Sequence, residues 1–98
     1  MEIVKDLSDG QLTVSLIGRL DGNTTTTASE ELLPSLDGVF SLVMDFADLE
    51  YISSAGLRLL VQLTKVMDKR GGMRIVHARP AVIQIFQAVM FDKILHIE

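Results

Sequence analysis

The chain contains no cysteine, which excludes a disulfide framework and any thiolate metal site and fits a reducing compartment. No apolar run approaches the ~18 residues that cross a bilayer. The opening residues, Met1-Glu2-Ile3-Val4-Lys5-Asp6, lack the basic and apolar regions of a secretory signal. The expectation is a soluble, cytoplasmic protein with no membrane partner. Nine Lys and Arg are scattered along the chain and outnumbered by thirteen Asp and Glu, for a net charge of -4. Nucleic acid is thereby excluded as the main partner, because neutralising phosphates needs clustered cations. There is no internal repeat, low-complexity tract or linker, and neither a glycine-rich phosphate loop nor paired catalytic carboxylates can be found.

What is present suffices for one domain spanning residues 1–98, with hydrophobic residues at 48% of the composition. Leu12, Val14 and Leu16 alternate with Thr13 and Ser15, the period-two mark of a half-buried strand over 11–17. Ile3-Val4-Lys5 reads as a strand before it, joined through Ser8-Asp9-Gly10, since Asp-Gly supplies the positive φ angles of a tight hairpin turn. Thr24 to Thr27 form a loop whose Thr or Asn residues cap a first helix over 28–36, with Pro34 counting against its second half. A strand at 42–46 follows. The strongest helix runs from Ser54 to Arg70, its set Leu57, Leu60, Val61, Thr64 and Met67 falling three or four apart. Gly71-Gly72 ends it. A strand at 73–76, a helix opened by Pro80 and running over 81–90, and an edge strand at 94–97 complete the order. Helices between successive strands imply right-handed crossovers and an α/β layer fold. The sheet is expected to be mixed and mostly parallel, with four to five strands and helices mainly on one face.

The segment Tyr51-Ile52-Ser53-Ser54-Ala55-Gly56-Leu57 places two hydroxyl residues where the longest helix begins. The first amides of a helix have no internal acceptor, and the aligned peptide dipoles add partial positive charge, so an anion is stabilised there. A phosphoserine, carrying a charge of ~-1.5 to -2, fits such a position with little damage to the fold. Arg58, four residues on, is within helical reach of Ser54 and starts a polar stripe with Gln62, Lys65 and Lys69.

Across nearly its whole length the sequence resembles the STAS family, the domain shared by bacterial anti-sigma-factor antagonists and anion-transporter tails. The resemblance rests on Gly18-Arg19-Leu20-Asp21 after the second strand, on Asp45 and Tyr51, on Ser53-Ser54-Ala55-Gly56-Leu57, on Gly71-Gly72, and on Phe91-Asp92-Lys93-Ile94. It implies a phosphorylation-controlled partner switch. The unphosphorylated form would bind an anti-sigma factor that is also a serine kinase, freeing a sigma factor. Phosphate on Ser54 would break that complex, and a PP2C-like phosphatase would restore it. Ser53 stands where the family usually has aspartate. Asp21, Asn23, Ser53, Ala55, Gly56 and Arg58 are the loop and partner-binding candidates. No cofactor or metal is implied.

Plainer readings stand beside these. Ser53 and Ser54 serve equally as helix caps, and the Arg58 stripe as a solvated face. Asp21 either orients the loop near Ser54 or is a turn residue, and Asp45 either supports the helix start or shapes its own loop. His77 and His96 lack ligand spacing. A nucleophile elbow is excluded because Ile52 occupies the required glycine position, so no enzyme is expected. Two alternatives remain: a STAS sensor binding a nucleotide or lipid, and a STAS switch in a pathway without a sigma factor.

Overall fold

Five strands and three helices follow one another in the computed structural model, which describes residues 1–98. They are β1 (Glu2–Ser8), β2 (Gln11–Leu20), α1 (Gly22–Ser35), β3 (Ser41–Asp45), β4 (Leu49–Ile52), α2 (Ser54–Met67), β5 (Met73–Val76) and α3 (Pro80–Ala88), then a 3-10 turn at Phe91–Lys93. β1 and β2 form the expected antiparallel hairpin. Its turn residues Asp9 and Gly10 have φ of 51° and 81°, the two successive positive values that match the twist of the strands they join.

The remaining strands are parallel to their neighbours, in the order β1-β2-β3-β5. β4, not expected from the sequence, joins the same edge of β2 beyond the point where β3 leaves it. Gln11 to Ser15 pair with β3, and Gly18 to Leu20 with β4, across a register shift at Gly18/Arg19. The Gly18 amide donates to the Asp48 carbonyl at 3.0 Å and fastens the crossing between the two. Four residues with the burial order buried, exposed, exposed, buried carry too little periodicity to signal a strand. Its partner, ten residues long, determines it instead.

Leu12, Val14 and Leu16 are buried while Gln11, Thr13 and Ser15 are half-exposed, so the alternation marks which face the core covers. Residues from all three helices, including Ala28, Leu32, Leu60, Leu63, Val82 and Phe86, join these three in one cluster. The helices therefore lie on that face. At ~25 cal/mol per Å² of apolar area removed from water, this single contiguous cluster is the main stabilising element of the fold.

Three expectations need correction. The threonine run is not a loop: Thr24 to Thr27 lie in the first turns of α1, and Thr25 is buried against the core. Tertiary burial outweighs the modest helix propensity of threonine. The cap is Asp21, not Thr or Asn. The final strand shrinks to one bridge between Ile75 and Ile97, because the Ile94 and Leu95 amides donate back to the Phe91 carbonyl at 3.0 and 2.8 Å and keep the start of the expected strand in the turn. Pro34 sits in the last turn of α1, where its missing amide costs one bond and the Ser35 hydroxyl donates to the Glu31 carbonyl at 2.7 Å. Arg70, just beyond α2, donates through Nη1 to the carbonyls of Leu36 and Val39 at 2.5 and 2.9 Å, closing the far end of α1.

Candidate functional site

The sequence-predicted residues converge where β2 and β4 end. Leu20 pairs with Ile52, and the Ser53 amide donates to the Leu20 carbonyl at 2.8 Å, so Asp21 and Ser53 leave the sheet side by side. Each caps the helix that follows it. The Ser53 backbone is extended and its hydroxyl accepts from the Gly56 amide at 3.3 Å, as an N-cap serine does. Ser54 is the first residue of α2 and is exposed. Its hydroxyl takes no part in the hydrogen bonds of the fold. Helix geometry also leaves the Ser54 and Ala55 amides without intrahelical acceptors, so the local field favours negative charge.

Gly56 is buried beneath this start. A Cβ added there would lie 2.7 Å from Ile52 Cγ1 and 3.0 Å from Leu20 Cδ2, so the first turn of α2 rests directly on the two strand ends. Ala55 is half-buried and Arg58 exposed. Both line a cleft between α1 and α2 with Thr25, Glu30, Gln62 and Phe91.

Asp21 holds α1 rather than Ser54. Its Oδ1 accepts from the Asn23 and Thr24 amides at 3.0 Å each, while its own amide donates to Thr24 Oγ1 at 2.9 Å. That reciprocal pair is a capping box. The Thr24 hydroxyl also lies 2.7 Å from the Arg19 carbonyl and 3.1 Å from Asp21 Oδ1. No hydrogen bond joins Asp21 to Ser53 or Ser54. Asn23 is exposed in the first turn of α1, and its place in the site is through its amide.

The Thr24 amide is the largest influence holding the Asp21 carboxyl below the ordinary aspartate value; desolvation opposes it, and the Thr24 hydroxyl, the Asn23 amide and Arg19 add to the lowering. A depressed folded value gives stability that is complete above the unfolded pKa of about 3.9 and is lost as pH falls through the folded one. Asp21→Asn keeps a capping oxygen but removes the titration. The gap between the urea midpoints of wild type and Asp21→Asn is therefore expected to close progressively below about pH 4. A gap that stays constant down to pH 2 would contradict this assignment.

One contact on the rim is not legible in the sequence. The Arg19 guanidinium lies 4.5 Å from the centre of the Tyr51 ring, a cation–π contact on the rim of the site. Only the β2–β4 register brings the two together. Asp45 serves its own loop, Oδ1 accepting from the Ala47 amide at 3.0 Å and facing His77 Nδ1 at 3.2 Å. Arg79 ties the same loop to the start of α3 through the Ala47 carbonyl at 2.9 Å and Asp48 at 3.7 Å. His96 lies against Glu98 at 3.3 Å, well apart from Ser54 in the sequence. Neither histidine belongs to a group of three or more potential metal ligands.

This arrangement, an exposed serine opening the main helix beside a capped β2 end, coincides with a match of residues 2–98 to the STAS domain model. The chain belongs to the STAS domain family. BtrV of Bordetella bronchiseptica, named an anti-sigma factor antagonist, is 30% identical to this STAS domain over 89 residues, covering 89% of the chain and 77% of BtrV. An anti-sigma factor antagonist from Mycobacterium paratuberculosis superposes with a TM-score of 0.88 at 24% identity, covering 98% of this chain and 83% of that one. The phosphorylated form of SpoIIAA, a Bacillus cell-fate determinant, gives 0.75 at 14% identity, with 99% and 91% covered. At those identities the two solved structures establish a shared fold, while the family match and BtrV establish kinship.

Proposed function

We propose that this STAS domain is an anti-sigma-factor antagonist that works as a partner switch controlled by phosphorylation of Ser54. The observation that carries the reading is the placement of Ser54: exposed, first in α2, outside the hydrogen bonds of the fold, and beside amides without intrahelical acceptors. The unphosphorylated domain binds an anti-sigma factor with serine-kinase activity, and a sigma factor is freed. Transfer of phosphate to Ser54 dissociates the complex, and a PP2C-like phosphatase reverses the transfer. Kinship with BtrV supports the antagonist role, and the phosphorylated state in which SpoIIAA was solved supports the chemistry.

Physically, the switch acts at a surface. A phosphate of ~-1.5 to -2 charge set at the centre of an interface must lose its hydration when the partner docks. The cost falls on the complex and not on the domain, because the charge sits where the α2 dipole accommodates it. Incubation with the kinase and ATP, followed by mass spectrometry of proteolytic fragments, tests the reading. A single phosphate located on Ser54 is the expected result. Modification of the Thr24 to Thr27 run in its place would overturn it.

A further inference from the structure

The cations of this domain are unevenly partnered. Lys5, Arg74 and Arg79 pair with Glu31, Glu98 and Asp48, Arg70 is spent on two backbone carbonyls, and Arg19 lies over the Tyr51 ring. Arg58, Lys65, Lys69 and Lys93 are exposed and enter no ion pair, although the chain as a whole carries a net charge of -4. Residues 54–72 hold four of the nine basic residues and a single acid, Asp68. Arg58, Gln62 and Lys65 are spaced to share one face of α2, and Lys69 continues that line in the turn beyond it. An unneutralised basic face on an acidic protein is a local reversal of field.

One apolar side chain is placed beside the same face. Phe91 lines the cleft with Arg58 and Gln62, and its neighbours in sequence, Val89, Met90 and Ile94, are 44%, 60% and 56% exposed. Met90 has a φ of 61°, the left-handed residue that turns the chain out of α3 into the 3-10 turn. The cleft itself, of about 790 Å³, is bounded by Thr25 and Glu30 on the α1 side. The Thr25 hydroxyl is buried without a hydrogen-bond partner on that wall.

We infer that the exposed face of α2, with Phe91, docks an acidic amphipathic segment of the protein partner. Its apolar side chains would cover Phe91, and its carboxylates would face Arg58, Lys65 and Lys69. This names the chemistry of the partner segment. It rests on the partner-switch reading only for the effect of Ser54, which lies one helical turn before Arg58. Phosphate there presents negative charge at the end of the surface where the acidic segment arrives, so repulsion adds to the desolvation cost. A lipid surface fits less well, since membrane recruitment by charge uses clusters of some 4–8 cations, whereas this face offers three beside a cleft that Phe91 lines.

The test uses two fluorescent helical peptides with Leu on one face and either Glu or Lys on the other. They are titrated against the isotope-labelled domain by anisotropy and by amide chemical shifts. The expected result is binding of the Glu peptide with shifts confined to Arg58, Gln62, Lys65 and residues 89–94, weakened roughly tenfold or more by Arg58→Glu with Lys65→Glu. Circular dichroism of the double variant checks its fold, and Arg58→Gln with Lys65→Gln should give a smaller loss. Equal affinity for the Lys peptide, shifts on β1 instead, or no effect of the double charge reversal would overturn the inference. So would binding of phosphatidylserine vesicles by this face while the Glu peptide is ignored, or self-association through it. If the peptide ignores α2 while Ser54 still accepts phosphate, the inference fails and the switch stands. If the peptide binds there but Ser54 accepts none, the switch fails and the docking face stands.

Discussion

Ser54→Ala is expected to accept no phosphate from the cognate kinase while keeping the wild-type fold and the ability to capture the anti-sigma factor. The substitution deletes one exposed hydroxyl that bonds to nothing in the domain, so stability should change by no more than about 0.5 kcal/mol. Its neighbour should behave in the opposite way. Ser53→Ala removes the acceptor for the Gly56 amide and is expected to cost about 0.5–2 kcal/mol while leaving Ser54 available to the kinase. Labelling with radioactive ATP, with urea denaturation alongside, separates the two serines. Ser54→Asp, imitating part of the phosphate charge, should weaken capture roughly a hundredfold, in keeping with the 2–5 kcal/mol scale of buried charges at interfaces. Label persisting in Ser54→Ala and vanishing in Ser53→Ala would exchange their roles and end the proposal for Ser54.

Phe46→Ala should produce the largest loss of stability of any substitution considered. Phe46 is fully buried at the end of β3, its amide donating to the Val76 carbonyl at 3.0 Å and its carbonyl accepting from the Leu49 amide at 3.1 Å. Removing a buried phenyl group costs about 3–5 kcal/mol when the site cannot collapse. A domain of this size has ~5–15 kcal/mol in total. The vacated space would lie under the three-residue link that carries the chain from β3 to β4. Since β4 delivers Ser53 and Ser54 to their place, partner capture should fall together with the denaturation midpoint. Phe46→Leu, which refills most of the volume, should recover most of both. A midpoint within 1 kcal/mol of wild type for Phe46→Ala, read by urea denaturation, would show that the β3 end is not a packing anchor.

Much of this organisation is legible in the residues, and the parts that are not share a cause. The β1–β2 hairpin follows from Asp9-Gly10 between alternating segments, and α2 from apolar residues three and four apart between a serine pair and two glycines. Each signal is local. The threonine run misleads because Thr24 to Thr27 are β-branched, while the helix they enter is held by Asp21 and by burial of Thr25, Ala28 and Leu32. The pattern Asp-x-x-Thr at 21 and 24 was the available clue to that cap. β4 could not be read at all, since its four residues become a strand only by finding the last three of β2. The same holds within the site. Ser54 is visible as a helix start, whereas the contact of Arg19 with Tyr51 depends on a register that pairs these two residues across separate strands.

The seating of Gly56 on Ile52 and Leu20 leaves the α2 start no room to retreat toward the sheet. In the proposed switch, a phosphate at that mouth would therefore be carried as one ester bond and not as an altered backbone shape. Such a device would show no hysteresis. Its output at any moment would follow the ratio of the two opposing enzyme activities, and removing the phosphate would restore the starting state in full, however long the chain had carried it.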